Sequence, residues 1–182
     1  MYQLPEIKPR KKPKPPYRKP EAVKLLEQLF WEYDCIRHPS VDPKYIARRK
    51  LRDDTANGLT ACIVAFAKIK GCFASRLNTT GVYDAKLKKF RHTTQRRGLP
   101  DVLITGPDGR SIFCEVKVKR DKMSEHQHRI QAEQQQSNGI YLTISTFTQF
   151  YDWFCDTYAV HVGPQKNCEL IDNHSMKSIP VQ

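Results

Sequence analysis

The chain has no apolar run approaching the ~20 residues that a membrane-spanning helix needs. Its basic N-terminus is not followed by the apolar stretch of a secretory signal. The expectation is a soluble cytoplasmic protein, in a bacterial or phage-infected cell, with no membrane partner. None of its six cysteines forms a close Cys-x-x-Cys pair, which argues against a ribbon or finger zinc site. Cys155, His161, Cys168 and His174 do not have the spacing of a usual finger either, and the cysteines are expected to be reduced, buried thiols. Acidic residues are scarce, 19 against 31 Lys and Arg, for a formal net charge of +12 over 182 residues. Such a balance favours a polyanionic partner, nucleic acid before a lipid surface. Hydrophobic residues make up only 39%, enough for one core with extensions.

Residues 1–20 hold six Pro and seven Lys or Arg, the composition of a disordered or polyproline-like arm. It could contact phosphates, or be a solvated or partner-docking tail. Pro20 opens a helix from Glu21 to about Tyr33, with Val23, Leu26, Leu29, Phe30 and Tyr33 as its apolar stripe. Asp42-Pro43 reads as the cap and first turn of a second, strongly basic helix to about Arg52. Its Lys44, Arg48, Arg49, Lys50 and Arg52 form either a DNA-facing side or a solvated one. Leu59, Cys62, Ile63, Phe66 and Ile69 recur at helical spacing, Gly71 ends that helix, and residues 72–78 read as a first strand.

The informative stretch is Leu99–Lys117. Val102–Thr105 and Ser111–Val118 are β-rich runs, and Gly-Pro-Asp-Gly between them is a turn signal. Pro107 and Asp108 suit the centre of a type I turn and Gly109 the left-handed position after it. That loop sets a register with Val102 opposite Cys114 and Asp101 opposite Glu115. Alternation then gives Val102, Ile104, Ile112, Cys114 and Val116 a core face, and Asp101, Glu115 and Lys117 the other. Opposed carboxylates on a sheet repel. The ammonium of Lys117 reduces the conflict, and a hard divalent cation with oxygen ligands removes it.

Between the first strand and this hairpin, residues 79–98 form a basic connector with Lys86, Lys88, Lys89, Arg91, Arg96 and Arg97. After the hairpin come Lys119 and Arg120. These are candidates for gripping phosphate backbone, or ordinary solvated loops. Ser124-x-x-Gln127 is a capping box that opens a polar helix to Ser137. Asn138-Gly139 ends it, Ile140–Ile144 is a last core strand, and a final helix starts near Phe147 behind a Thr146/Gln149 box. Phe147, Phe150, Tyr151, Phe154 and Tyr158 are assigned to the core rather than to base stacking.

Pro100-Asp101, then Glu115-Val116-Lys117, resembles the signature of the PD-(D/E)XK nucleases. With Gly98-Leu99 before it, and Ser124-Glu125-His126-Gln127 and Gly139 after it, the ordered set is similar to the VRR-NUC branch over residues 57–145. The resemblance implies a restriction-endonuclease-like α-β-β-β-α-β core, a mixed α/β sheet flanked by helices, with an N-terminal helical extension. The domain layout is then a disordered tail over 1–19, the extension over 20–56, the nuclease-like domain over 57–160 and a C-terminal tail over 161–182. It implies a metal-dependent nuclease acting on DNA in replication, repair or recombination. Asp101, Glu115 and the carbonyl of Val116 would hold Mg²⁺ or Mn²⁺. Lys117 would position or deprotonate the attacking water, and Gln127 would orient the lysine or the water. Where the family often carries a supporting glutamate, this chain has Asn57 or Gly58, with Asp53 and Asp54 a turn upstream. Two other readings stay open: a structure-selective nuclease of the Holliday-junction resolvase kind, which acts as a homodimer, and a nucleic-acid-binding module whose catalysis has decayed.

Overall fold

The structure is a computed structural model that describes residues 16–77, 82–91, 96–119 and 121–158. In chain order the elements are α1 (Glu21–Arg37), a single 3₁₀ turn (Pro43–Tyr45), α2 (Ala56–Ile69) and β1 (Phe73–Arg76). Next come β2 (Val82–Asp84), β3 (Lys89–Arg91), β4 (Val102–Thr105) and β5 (Ser111–Val116). The last are α3 (Glu125–Gln136), β6 (Ile140–Ile144) and α4 (Phe147–Tyr158). Four strands make one mixed sheet in the order β1-β4-β5-β6, antiparallel except for the parallel β5–β6 pair. A parallel pair needs a crossover rather than a tight turn, and α3 provides it.

Side-chain alternation divides the sheet. Val102, Ile104, Ile112, Cys114, Val116 and Ile144 face a core shared with α1, α2 and α4. Phe66 of α2 sits edge-on to Phe154, Phe147 and Phe150, with centroids 5.3, 5.8 and 6.2 Å away. The aromatics of α4 are therefore core, as their helical spacing predicts. α3 covers the opposite face, where Gln134 donates to Ser111 and Gln127 donates to Glu115. The fold is thus α/β, a four-strand mixed sheet flanked by helices on both sides. Among the described residues no helix is long and apolar enough to cross a membrane.

Local signals account for the helix ends. Gly71 (φ +75) takes the left-handed turn after α2, with Cys72 N–H donating to Ala67 O and Gly71 N–H to Lys68 O, which together close a Schellman motif. Asn138 (φ +58) does the same for α3. Thr146 caps α4 through Gln149 N–H, but the Gln149 side chain reaches back to Ser145 rather than to Thr146, so the predicted box is only half formed.

The structure corrects several sequence expectations. The basic helix expected from Asp42-Pro43 to Arg52 is one 3₁₀ turn followed by irregular chain. The segment has little apolar surface to bury, and a helix would stack its like charges at helical spacing. Instead Arg48 lies over Trp31 and Arg49 over Phe30, at 4.4 and 4.1 Å from the ring centroids. Glu27 accepts Leu51 N–H. The basic connector contains the β2–β3 hairpin, a two-stranded sheet of its own. α1 continues past the expected end near Tyr33 to Arg37, and its Ala22, Val23 and Leu26 join the sheet's core. Residues 16–20, assigned above to the tail or its edge, are tied down: Lys19 pairs with Glu27, and Tyr17 O–H donates to Asp53 at 2.7 Å. Residues 1–15 and the C-terminal tail lie outside the described residues.

Asp53 links three distant segments. Its Oδ1 accepts from Tyr17 and its Oδ2 from Phe147 N–H at 3.1 Å, at the start of α4. The Tyr17 hydroxyl is pushed up to about 12 by burial first and by Asp53 second, so it stays a donor. Asp53→Ala leaves a buried N–H unpaired and is expected to cost about 1–3 kcal/mol, read as a lower urea midpoint. Tyr17→Phe should cost less, because Asp53 keeps its bond to Phe147. An unchanged midpoint for Asp53→Ala would contradict this.

Candidate active site

The β4–β5 hairpin has the predicted register: Val102 pairs with Cys114, Leu103 with Phe113 and Thr105 with Ser111. Gly106 N–H donates to Arg110 O, Gly109 N–H donates to Gly106 O, and Gly109 has φ +78. Asp101, one residue before β4, therefore lies beside the Glu115 end of β5. Two bonds hold it there. Its carbonyl accepts Leu77 N–H at 2.8 Å, and its Oδ2 accepts Val116 N–H at 2.9 Å. Gly98 explains how the chain reaches this point. Its φ is +86, and a β-carbon there would collide with the His126 carbonyl. Only glycine lets the lead-in to Asp101 press against the start of α3.

Glu115 is 3% exposed. Its Oε1 accepts from Gln127 Nε2 at 2.5 Å and from Lys117 Nζ at 2.9 Å. Its Oε2 is buried and has no hydrogen-bond partner among the described residues. Lys117 also donates to Gln127 Oε1 at 3.2 Å and lies 3.5 Å from Asp121 Oδ2. Gln127 serves two ends at once. Its N–H donates to Ser124 Oγ and its Oε1 accepts Ser124 N–H at 2.7 Å, completing the capping box, while Nε2 is turned to the carboxylate. Cap and site thus share Oε1, which takes both Ser124 N–H and Lys117, while Nε2 serves Glu115 alone.

The electrostatics follow from burial and charge. Burial raises the Glu115 carboxyl; the Lys117 bond opposes this, and Asp101 adds to the rise. Burial alone would lower the Lys117 ammonium, but Glu115 and Asp121 outweigh it and the net shift is upward. The resting lysine is therefore charged.

Other predicted residues are placed as follows. Asn57 Oδ1 accepts from Arg76 Nη2 at 2.7 Å. Asp53 is committed to Tyr17 and Phe147, and Asp54 forms a bidentate pair with Arg52. Lys86, Lys88, Lys89, Arg97 and Lys119 are exposed. Arg96 is paired with Glu133 of α3. The Arg91 side chain and Arg120 lie outside the described residues. Among the described residues, no three His, Cys, Asp or Glu side chains gather as a metal cluster. The oxygens that could hold a cation are those of Asp101 and Glu115 and the Val116 carbonyl.

Two neighbours of the site were not singled out from the sequence. Asp121 sits four residues after Lys117, a spacing that could have flagged it. Tyr141 lies on β6, and nothing local says which strand pairs with β5 or in what register.

No family model, curated protein or solved structure matches this chain.

Glu115 gives a pH signature in the presence of chelator. Its folded value lies above its unfolded one, so its stabilising contribution is full below the ordinary carboxylate range and is lost as pH rises through the folded value. The melting temperature of Glu115→Gln minus that of wild type should therefore grow from about pH 4 towards neutrality. Lys117, also raised, loses its contribution only above its ordinary value near 10.5, outside that window. A difference that stays flat with pH would contradict the assignment.

Proposed function

We propose that the protein is a metal-dependent nuclease that hydrolyses DNA phosphodiester bonds in replication, repair or recombination, built on a restriction-endonuclease-like core of the VRR-NUC kind. The observation that carries the proposal is Glu115 Oε2, a buried carboxylate oxygen without a partner among the described residues, on the wall that holds Asp101 and Lys117. A carboxylate oxygen left dry and unbonded is costly, and a cation is the ligand it suits. Two carboxylates and a main-chain carbonyl are hard oxygen donors of the kind Mg²⁺ or Mn²⁺ takes, with water filling the remaining positions. The donor set therefore fits: Asp101, Glu115 and Val116 O would hold the ion. When bound, the ion supplies Lewis acidity, activating water and offsetting the charge gathered at phosphorus.

The chain's own residues do the rest. Val116 N–H fixes the Asp101 carboxylate. Gln127 fixes one oxygen of Glu115 and the ammonium of Lys117 together, so donor and acceptor keep one relative position. Charged Lys117 exchanges its long contact with Asp121 for a phosphate oxygen or the attacking water, and its positive charge stabilises the transition state. The exposed Lys86, Lys88, Lys89, Arg97 and Lys119, with the net charge of +12, supply sequence-independent affinity for the backbone. One observation favours a second reading, a binding module whose catalysis has decayed: Asn57 stands where a supporting acid is expected, and its oxygen is taken by Arg76.

The assay is cleavage of single-stranded, duplex and four-way-junction DNA in Mg²⁺ or Mn²⁺, with Lys117 variants beside wild type. Lys117 is surrounded by oxygens of Glu115, Gln127 and Asp121 within 3.5 Å, a compact site that a planar guanidinium cannot share in the same way. Both Lys117→Arg and Lys117→Ala should lose about a hundredfold or more in single-turnover rate, while binding in Ca²⁺ persists. Wild-type rates in Lys117→Ala would overturn the mechanism. Binding without cleavage of any substrate in either metal would select the second reading.

A further inference from the structure

Among the described residues two side-chain atoms are buried without a hydrogen-bond partner, and they are Glu115 Oε2 and Tyr141 Oη. The first belongs to the carboxylate pair. The second has no part in the function proposed above, yet the sheet brings it to the same place. β5 and β6 run parallel with Phe113 opposite Tyr141 and Glu115 opposite Thr143. Tyr141 therefore stands on the face that carries Glu115, diagonal to it, at a separation that aromatic side chains reach across. Its ring packs edge-on to Phe113 with centroids 6.4 Å apart, and the residue is 8% exposed. The charges of both Glu115 and Asp101 act on its hydroxyl.

A phenylalanine would fill the same space without the hydroxyl. A buried hydroxyl that bonds nothing costs about 1–3 kcal/mol, so a tyrosine here implies a partner that the described residues do not provide. Water in a cation's shell is such a partner. Mg²⁺ keeps several of its waters, and each needs a hydrogen bond outside the inner sphere. A neutral phenol accepts and donates, so it suits them.

We propose that Tyr141 is an outer-sphere positioning residue of the Asp101–Glu115 cation site, its hydroxyl hydrogen-bonded to a water in the cation's hydration shell. This rests on the metal-dependent reading above.

The test uses full-length wild type, Tyr141→Phe and Glu115→Gln, with Mn²⁺ titrated calorimetrically and melting followed in chelator. Tyr141→Phe should melt at or above the wild-type temperature without metal, because an unpaired hydroxyl has been removed. It should bind Mn²⁺ about 10-fold or more weakly, the usual scale for an outer-sphere partner. Mg²⁺ should also perturb the near-ultraviolet tyrosine spectrum of wild type, and that change should vanish in Tyr141→Phe. If Tyr141→Phe binds Mn²⁺ like wild type while Glu115→Gln does not, the Tyr141 assignment fails and the cation site stands. If wild type binds no Mn²⁺, both fail. A clear fall in the metal-free melting temperature of Tyr141→Phe would give the hydroxyl a structural partner and also overturn the proposal.

Discussion

Gly109 takes the left-handed backbone that closes the loop between β4 and β5, and from that turn follows the pairing of Val102 with Cys114. A slip of one residue would send Glu115 into the aromatic core and Cys114 to the polar face. In the observed register both carboxylates fall on one side, beside Leu103 and Phe113, and the side chains of the main core fall on the other. The core then has Val102, Ile104, Ile112, Cys114 and Val116 to pack under Phe66 and the α4 aromatics. The polar face has two carboxylates near one another, a lysine beside them, and one oxygen that none of the described residues satisfies. Fold and site are two consequences of one register.

The helix that covers this face is held mainly by polar contacts. Only Ile130 and Gln134 of α3 are buried. Gln134 anchors it to Ser111 near one end of β5, and Gln127 anchors it to Glu115 near the other. Arg96 and Glu133 add an exposed pair, which contributes little. With so small an apolar stake, the position of α3 depends on the same side chain that orients the site. A change of charge at Glu115 or Lys117 is therefore felt at the start of α3, through Gln127 and its cap.

What was legible in the sequence was local. Gly-Pro-Asp-Gly sets a turn within five residues, Ser124 and Gln127 sit three apart, and β6 and α2 are marked by apolar periodicity and by Asn138-Gly139 and Gly71. The register, the two faces of the hairpin and the capping use of Gln127 could be inferred from these, whereas its use at the site was implied only by the resemblance. What was not legible depended on distant partners. The segment around Arg48 and Arg49 reads as a helix until Phe30 and Trp31 are known to lie beneath it. Asp53 reads with Asp54 only as an acid a turn upstream of Asn57, but it is the buried acceptor for Tyr17 and Phe147. The β2–β3 hairpin is hidden by its own lysines, which draw attention to charge rather than to the short β-rich runs on either side. Tyr141 reads as one more apolar residue of a core strand, and only the parallel pairing with β5 sets it near Glu115.

The central claim is that Asp101 and Glu115 together hold one divalent cation. Anomalous diffraction from crystals of the protein grown with Mn²⁺ tests it without reference to any substrate. The account predicts an anomalous peak at bonding distance from Glu115 Oε2 and an Asp101 oxygen, absent in crystals of Glu115→Gln. A peak elsewhere, or an empty site at saturating Mn²⁺, would contradict it.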